Sequence, residues 1–353
     1  MPLPSIPDYT VSIKTPQLVR PNILANGHPI EKGNNVIKYA GGFCVVFPYL
    51  TPTQKNAIRC WHAEIADAKK RTQLIAETLK ASNLPFFVGF EYFVDGIMTS
   101  LGKQPIVVMD WVDAVPLKKY IAAHLNEPNK LNTLADNFKQ MVIDLHRYHL
   151  AHGDLQHGNI MVHDDGKLVL VDYDSMYVPS LQGMKDDIKG LQGYQHEARW
   201  SNEYVSEKAD YFSELVIYLS LRTLAVLPDL WNRLKIADTE TLIFSAEDIK
   251  SKGTAPIFAE LKKYEELSAL VDKLCEFMLC SSIDELVPLE DAVISPIDAI
   301  CAKWGGGNGY VAKPKITHID NPDGISNKWS NGNGYVPPAL EDMADGIVNS
   351  WKK

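Results

Sequence analysis

One short tract constrains this chain more than any other. His152-Gly-Asp154-Leu-Gln-His-Gly-Asn159 sets a carboxylate and an amide five residues apart, and Val171-Asp172-Tyr-Asp174 follows. Between them Ile160-Met-Val and Leu168-Val-Leu-Val flank Asp165-Gly166, the signature of a short hairpin. Asp172 stands thirteen residues beyond Asn159, at the end of the returning strand. The hairpin brings the chain back on itself, so the oxygens of Asp154, Asn159 and Asp172 can converge.

That set suits phosphoryl transfer from ATP, which needs positioning and charge neutralisation more than covalent help. One carboxylate has to accept a proton from the incoming hydroxyl. An amide oxygen and a second carboxylate have to hold Mg²⁺ against the phosphates.

The rest of the chain reads as an α+β protein with two lobes. Residues 1–34 carry Pro and Asn without periodicity, which predicts an extended arm. Apolar runs on either side of Gly41-Gly42 predict a strand, turn and strand over residues 36–47, and further strands are expected at 56–60, 86–93 and 106–109. Leu74, Ile75 and Leu79 among charged residues predict a helix over 66–81. Leu134, Phe138, Met141, Val142 and Leu145 form the apolar stripe of a core-facing helix. Residues 175–208 form a charged loop too long for a mere connection, and the chain is largely helical from Asp210 to about residue 302. The expected division is an arm at 1–34, a β-rich lobe at 35–112, a helical lobe at 113–302 and a Gly-rich tail at 303–353. In the tail, Trp304-Gly-Gly-Gly-Asn-Gly-Tyr-Val311 recurs as Trp329-Ser-Asn-Gly-Asn-Gly-Tyr-Val336. This reads as a linker whose aromatics anchor it to the body, or as a duplicated docking peptide for a protein partner.

Composition narrows the partners. With 44 acidic against 35 basic side chains the net charge is −9, and the longest basic run is Lys69-Lys70-Arg71, so nucleic acid is not expected as the main partner. Five scattered cysteines (Cys44, Cys60, Cys275, Cys280, Cys301) make no disulfide framework and no paired zinc spacing. The N-terminus lacks a charged segment followed by an apolar one, and the most apolar stretch, residues 215–227, is broken by Arg222. A cytoplasmic protein with no membrane partner is expected.

The central tract resembles the protein-kinase superfamily. His152-Gly153-Asp154 with Asn159 looks like the H-R-D-x-x-x-x-N catalytic loop, and Asp172-Tyr173-Asp174 sits where D-F-G belongs. The resemblance covers roughly residues 36–300. It implies a bilobal kinase-like fold that uses ATP and Mg²⁺, with Asp154 as catalytic base and Asn159 and Asp172 as metal ligands. Met109 would be the gatekeeper, with the backbone of Asp110 and Val112 facing adenine. His152 and Asp210 would support the catalytic loop, with Asp210 also placed to cap a helix. Gly193-Tyr-Gln-His-Glu-Ala-Arg199 is similar to a divergent group of bacterial serine/threonine kinase-like proteins. His-Gly-Asp is also typical of aminoglycoside and choline phosphotransferases.

The departures bear on activity. Gly41, Gly42 and Phe43 occupy the glycine-rich loop with only two adjacent glycines. Asn56-Ala-Ile-Arg59 replaces Val-Ala-Ile-Lys, so the phosphate-facing cation would be Arg59, with Glu77, Gln73 or Glu64 as its partner. Gln156 replaces a lysine, and Asp174 replaces the glycine of D-F-G. Three readings follow: a protein serine/threonine kinase with the 175–208 loop as peptide platform; a pseudokinase scaffold that binds nucleotide and partners; and a small-molecule phosphotransferase. Ser180, Ser201 and Ser206 are candidate regulatory sites on that loop.

Overall fold

The computed structural model describes residues 3–64 and 67–293. Its first element corrects the extended arm expected at the N-terminus. Helix α1 (Ile6–Ile13) opens with a capping box, in which the Ser5 hydroxyl accepts the Asp8 N–H and the Asp8 carboxylate accepts the Ser5 N–H. Tyr9 and Ile13 are fully buried among Leu24, Val45, Phe47, Ile58, Ile97 and Ile106. The Tyr9 hydroxyl donates to the Trp61 carbonyl at 2.9 Å. A helix this short carries no readable period, and its stability comes from the sheet it covers rather than from its own propensity.

The sheet follows. β1 (His28–Pro29), β4 (Tyr39–Ala40), β5 (Cys44–Leu50), β6 (Lys55–Trp61), β7 (Phe90–Thr99) and β8 (Gly102–Asp110) form an antiparallel sheet of order β1-β5-β6-β8-β7, with β4 also pairing β5. β2 (Glu31–Lys32) and β3 (Asn35–Val36) make a separate ribbon. On β6, Arg59 pairs Val46 on one side and Val107 on the other, so it sits mid-sheet. Strand alternation sends Ile58 and Cys60 towards α1 and Ala57 and Trp61 towards the opposite face. That face is covered by α2 (Ala68–Ser82), through Ile75, Ala76 and Leu79. Strand β7 starts later and runs longer than its apolar residues suggest, because the chain turns at Leu84, whose carbonyl accepts the Phe87 N–H.

The second lobe is helical. After β9 (Val115–Pro116) and α3 (Leu117–Ala123), helix α4 (Pro128–Arg147) buries Leu134, Phe138, Met141, Val142 and Leu145, each contributing about 1.5–3 kcal/mol on burial. β10 (Ile160–Val162) and β11 (Leu168–Leu170) form the hairpin, with Met161 opposite Val169 and with Gly166 at φ +81° in its turn. α5 (Tyr211–Val226) is buried nearly all round, which accounts for the apolar run at 215–227 as a core helix. α6 (Leu230–Arg233), α7 (Ala246–Lys250), α8 (Pro256–Leu261), α9 (Glu265–Leu279) and α10 (Leu289–Ala292) complete the lobe, with α9 packed on α5. Among the described residues no helix is long and apolar enough to cross a membrane. The hairpin reaches the first lobe directly, as the Leu170 N–H donates to the Phe86 carbonyl at 2.8 Å. The duplicated Trp/Tyr motif of the tail, with Cys301, lies outside the described residues.

Candidate active site

The hairpin and the loop before it converge beneath the sheet. The Asn159 Nδ2 donates to the Asp154 carbonyl at 2.8 Å and to its Oδ2 at 3.0 Å. Both bonds use the amide nitrogen, which turns the Asn159 oxygen away from Asp154. The Asn159 carbonyl in turn accepts the Val171 N–H at 3.0 Å, so Asn159 is tied to the residue before Asp172. Asp172 itself holds φ +67°, a left-handed conformation that glycine adopts freely and that Asp adopts more readily than most other residues. Non-glycine residues held this way cluster at functional positions, where surrounding structure enforces the conformation.

What enforces it is Tyr173. Its ring is buried edge-on against Phe87 and Phe90. Its hydroxyl accepts the Val88 N–H at 2.9 Å and donates to the Leu170 carbonyl at 2.6 Å. Burial pushes its pKa well above the ordinary phenol value, so it remains a donor throughout the physiological range. Phe87 and Val88 belong to the first lobe, so Tyr173 fixes the Asp172 segment across the joint.

The loop is braced from below. The Asp210 carboxylate accepts the N–H groups of both His152 and Gly153, the latter at 3.0 Å. Asp210 is the residue before α5, yet its carboxylate makes no capping bond to that helix. His152 is fully buried, with Nε2 at 3.0 Å from the Val171 carbonyl. Gly153 has a physical reason to be glycine: it holds φ +78°, and a Cβ there would lie 2.0 Å from the Ser175 carbonyl oxygen. No arginine fits between His152 and Asp154.

An arginine arrives from elsewhere. Arg199, fully buried, donates to the Gly153 carbonyl and the Gln195 side chain, and its Nε lies 3.3 Å from Asp186 Oδ2. Spacing gave no warning of this role, since Arg199 is forty-six residues beyond Gly153. Its place in the Gly193–Arg199 tract was the only signal. The same long loop touches Asp154, whose Oδ1 accepts the Leu191 N–H at 2.9 Å. Asp154 is 8% exposed.

On the sheet side, Gly41, Gly42 and Phe43 form the turn between β4 and β5. The Gly41 N–H donates to the Cys44 carbonyl, and His62 Nε2 lies 3.0 Å from the Gly41 carbonyl. Phe43 is 48% exposed. Met109 is buried between Ala57 and Phe90 near the end of β8. The Asp110 N–H donates to the Gly89 carbonyl, and its Oδ2 accepts the Gly89 N–H at 3.1 Å. Val112 packs with Met161, Val169 and Val171 of the hairpin.

Arg59 is 3% exposed, and none of the partners read from sequence reaches it. Glu77 faces solvent and accepts from Gln73 at 2.9 Å, and Glu64 is exposed. Arg59 pairs instead with Asp174. Burial works against its charge, but Asp174, with Cys44 and Asp172 behind it, raises its pKa well above the usual guanidinium value. Burial pushes the neighbouring Cys44 thiol up to about 12, so it stays protonated.

The strand order, the helix α2 behind β6, and the hairpin carrying Asn159 and Asp172 beneath them decide the architecture. The fold is α+β, bilobal and kinase-like. Residues 69–184 match the ABC1 atypical kinase-like domain family, less than half of the 353-residue chain. The kinase-like match takes in Asp154, Asn159 and Asp172 and stops short of Gly41, Gly42, Phe43 and Arg59 on one side and Arg199 and Asp210 on the other. No curated protein matches the chain at a significant level. The family and the fold together support a kinase-like phosphotransferase or a pseudokinase scaffold.

Proposed function

We propose that the chain is an ATP- and Mg²⁺-dependent phosphotransferase acting on serine or threonine hydroxyls of a protein. The observation that carries this reading is the single hydrogen-bonded unit made by Asp154, Asn159 and the segment of Asp172, in which one asparagine ties the two carboxylate-bearing segments together. Among the described residues no three His, Cys, Asp or Glu side chains converge as a protein-only metal cage. Mg²⁺ commonly takes one or two carboxylates and completes its shell with water and phosphate oxygens, so Asn159 and Asp172 are a fitting donor set.

In this reading Asp154 takes the proton of the attacking hydroxyl, Asn159 and Asp172 hold the metal, and Arg59 faces phosphate. Gly41, Gly42 and Phe43 cover the nucleotide, with Met109 and the backbone of Asp110 and Val112 beside the base. Bound Mg²⁺ supplies charge neutralisation at the phosphates. Support for a protein substrate comes from the loop that follows Leu191. Gln192, Gln195, Glu197, Trp200 and Lys252 line a concavity of about 270 Å³. A small-molecule phosphotransferase is less well served, because the chain between Asp172 and Asp210 carries only two 3₁₀ turns, Pro179–Leu181 and Glu197–Ser201, and no helical insertion.

One observation favours the scaffold reading: the Asp154 carboxylate is covered by the Leu191 N–H, where a substrate hydroxyl would have to come. ADP release with MgATP, measured with intact mass for wild type and Asp154→Asn, separates the two. ADP from wild type alone, with added phosphate mass, is the expected result. Equal ADP from both removes Asp154 as base, and none from either leaves the scaffold.

A further inference from the structure

We propose that Asp174 is the positioning residue that aims Arg59 at nucleotide phosphates, in place of a carboxylate on helix α2. The inference deepens the phosphotransferase reading and rests on it. Kinases commonly pair the phosphate-facing cation with a glutamate on the helix behind the sheet, so that helix position controls activity. A cation as deeply buried as Arg59 needs a counter-charge, since an unpaired buried guanidinium is costly.

Helix α2 does not offer one. The residues it buries are Arg71, Thr72, Ile75, Ala76 and Leu79, with no carboxylate among them. Glu77 lies on the opposite side, bonded to Gln73. The counter-charge comes from Asp174, 24% exposed and two residues beyond Asp172. Arg59 and the metal-side carboxylate are therefore governed by one tripeptide, Asp172-Tyr173-Asp174, which Tyr173 locks to Val88.

The polarity of α2 is reversed as well. It presents Arg71, whose Nη1 donates to the Lys185 carbonyl at 3.3 Å, and the charges of Asp186, Asp174 and Asp187 act in its favour. The helix thus holds the 175–208 loop, and it acts on Asp174 through the charge of Arg71 rather than on Arg59 through a carboxylate. Asp174, at the position where glycine is usual, is the compensation for the missing glutamate.

The test is calorimetric binding of MgATP and of adenosine to the full chain, with thermal unfolding on each variant. Asp174→Asn is expected to weaken MgATP about tenfold or more while adenosine affinity holds within about twofold. Asp174→Glu should recover most of the loss, and Glu77→Gln should bind both as wild type does. If Asp174→Asn fails to fold, the Arg59→Gln/Asp174→Asn pair, which leaves no lone buried cation, is compared with Arg59→Gln. Equal MgATP affinity in those two supports the inference, because Asp174 then acts through Arg59; a further loss in the pair overturns it. Unchanged MgATP binding by Asp174→Asn, or an equal loss in Glu77→Gln, also overturns it and leaves the phosphotransferase reading standing. Wild type that binds neither ligand overturns both.

Discussion

Arg199 donates to the backbone carbonyl of Gly153, so the arginine absent from the catalytic loop is restored in space from the far end of the long loop. Its Nε faces the buried Asp186. Arg199→Met leaves that carboxylate with Lys189 alone and removes the bond to the Gly153 carbonyl, and should cost about 1–3 kcal/mol of stability. A lowered midpoint in denaturant unfolding would register this, and an unchanged midpoint would mean that Lys189, at 3.3 Å from Asp186, suffices.

Gly153 cannot be exchanged for the arginine usual at that place. At φ +78° with the Ser175 carbonyl in the way, Gly153→Ala should destabilise by about 2 kcal/mol or more, and Gly153→Arg should not raise activity. Thermal unfolding of both variants decides this; wild-type stability in Gly153→Ala would show that the loop can relax.

Tyr173→Phe keeps the ring and removes only the hydroxyl, leaving the Val88 N–H and the Leu170 carbonyl without that partner. The expected loss is about 1–3 kcal/mol. If the hydroxyl fixes Asp172, ATP turnover should fall in kcat more than in KM. A variant equal to wild type in both kinetics and stability would reduce Tyr173 to an ordinary core aromatic.

His146 lies between two carboxylates, with Nε2 at 2.9 Å from Glu214 and Nδ1 at 2.9 Å from Glu290. Burial opposes its charge, but the two carboxylates raise its pKa to about 10. Burial raises the Glu214 pKa to about 7, while His146 holds that of Glu290 down against its own burial. His146 binds its proton more tightly folded than unfolded, so its contribution is complete below about pH 6.5 and is lost as pH rises through 10. Glu214 acts in the same direction between its ordinary value and 7. His146→Gln should therefore be much less stable than wild type at pH 6 and close to it above pH 10. A stability difference independent of pH would mean that the imidazole is neutral in the folded protein.

The sequence by itself determined the fold class and most of its elements. The stripe from Leu134 to Leu145, the hairpin around Gly166 and the strand that carries Arg59 all follow from local periodicity and turn chemistry, which act over a few residues. It also determined that Asp154, Asn159 and Asp172 lie near one another, because a two-stranded hairpin links them. Tertiary structure decided what local pattern cannot encode. Whether residues 6–13 form a helix depended on the sheet that buries Tyr9 and Ile13. The partner of Arg59 depended on which face of α2 turned inward: that Arg71 faces in and Glu77, six residues on, faces out is invisible without the packed sheet, and Asp174 lies 115 residues away in sequence. The brace from Arg199 to Gly153 spans another long separation. Charges buried on folding take whatever counter-charge the packed chain brings within reach, and that is a property of the assembled fold rather than of any stretch of residues.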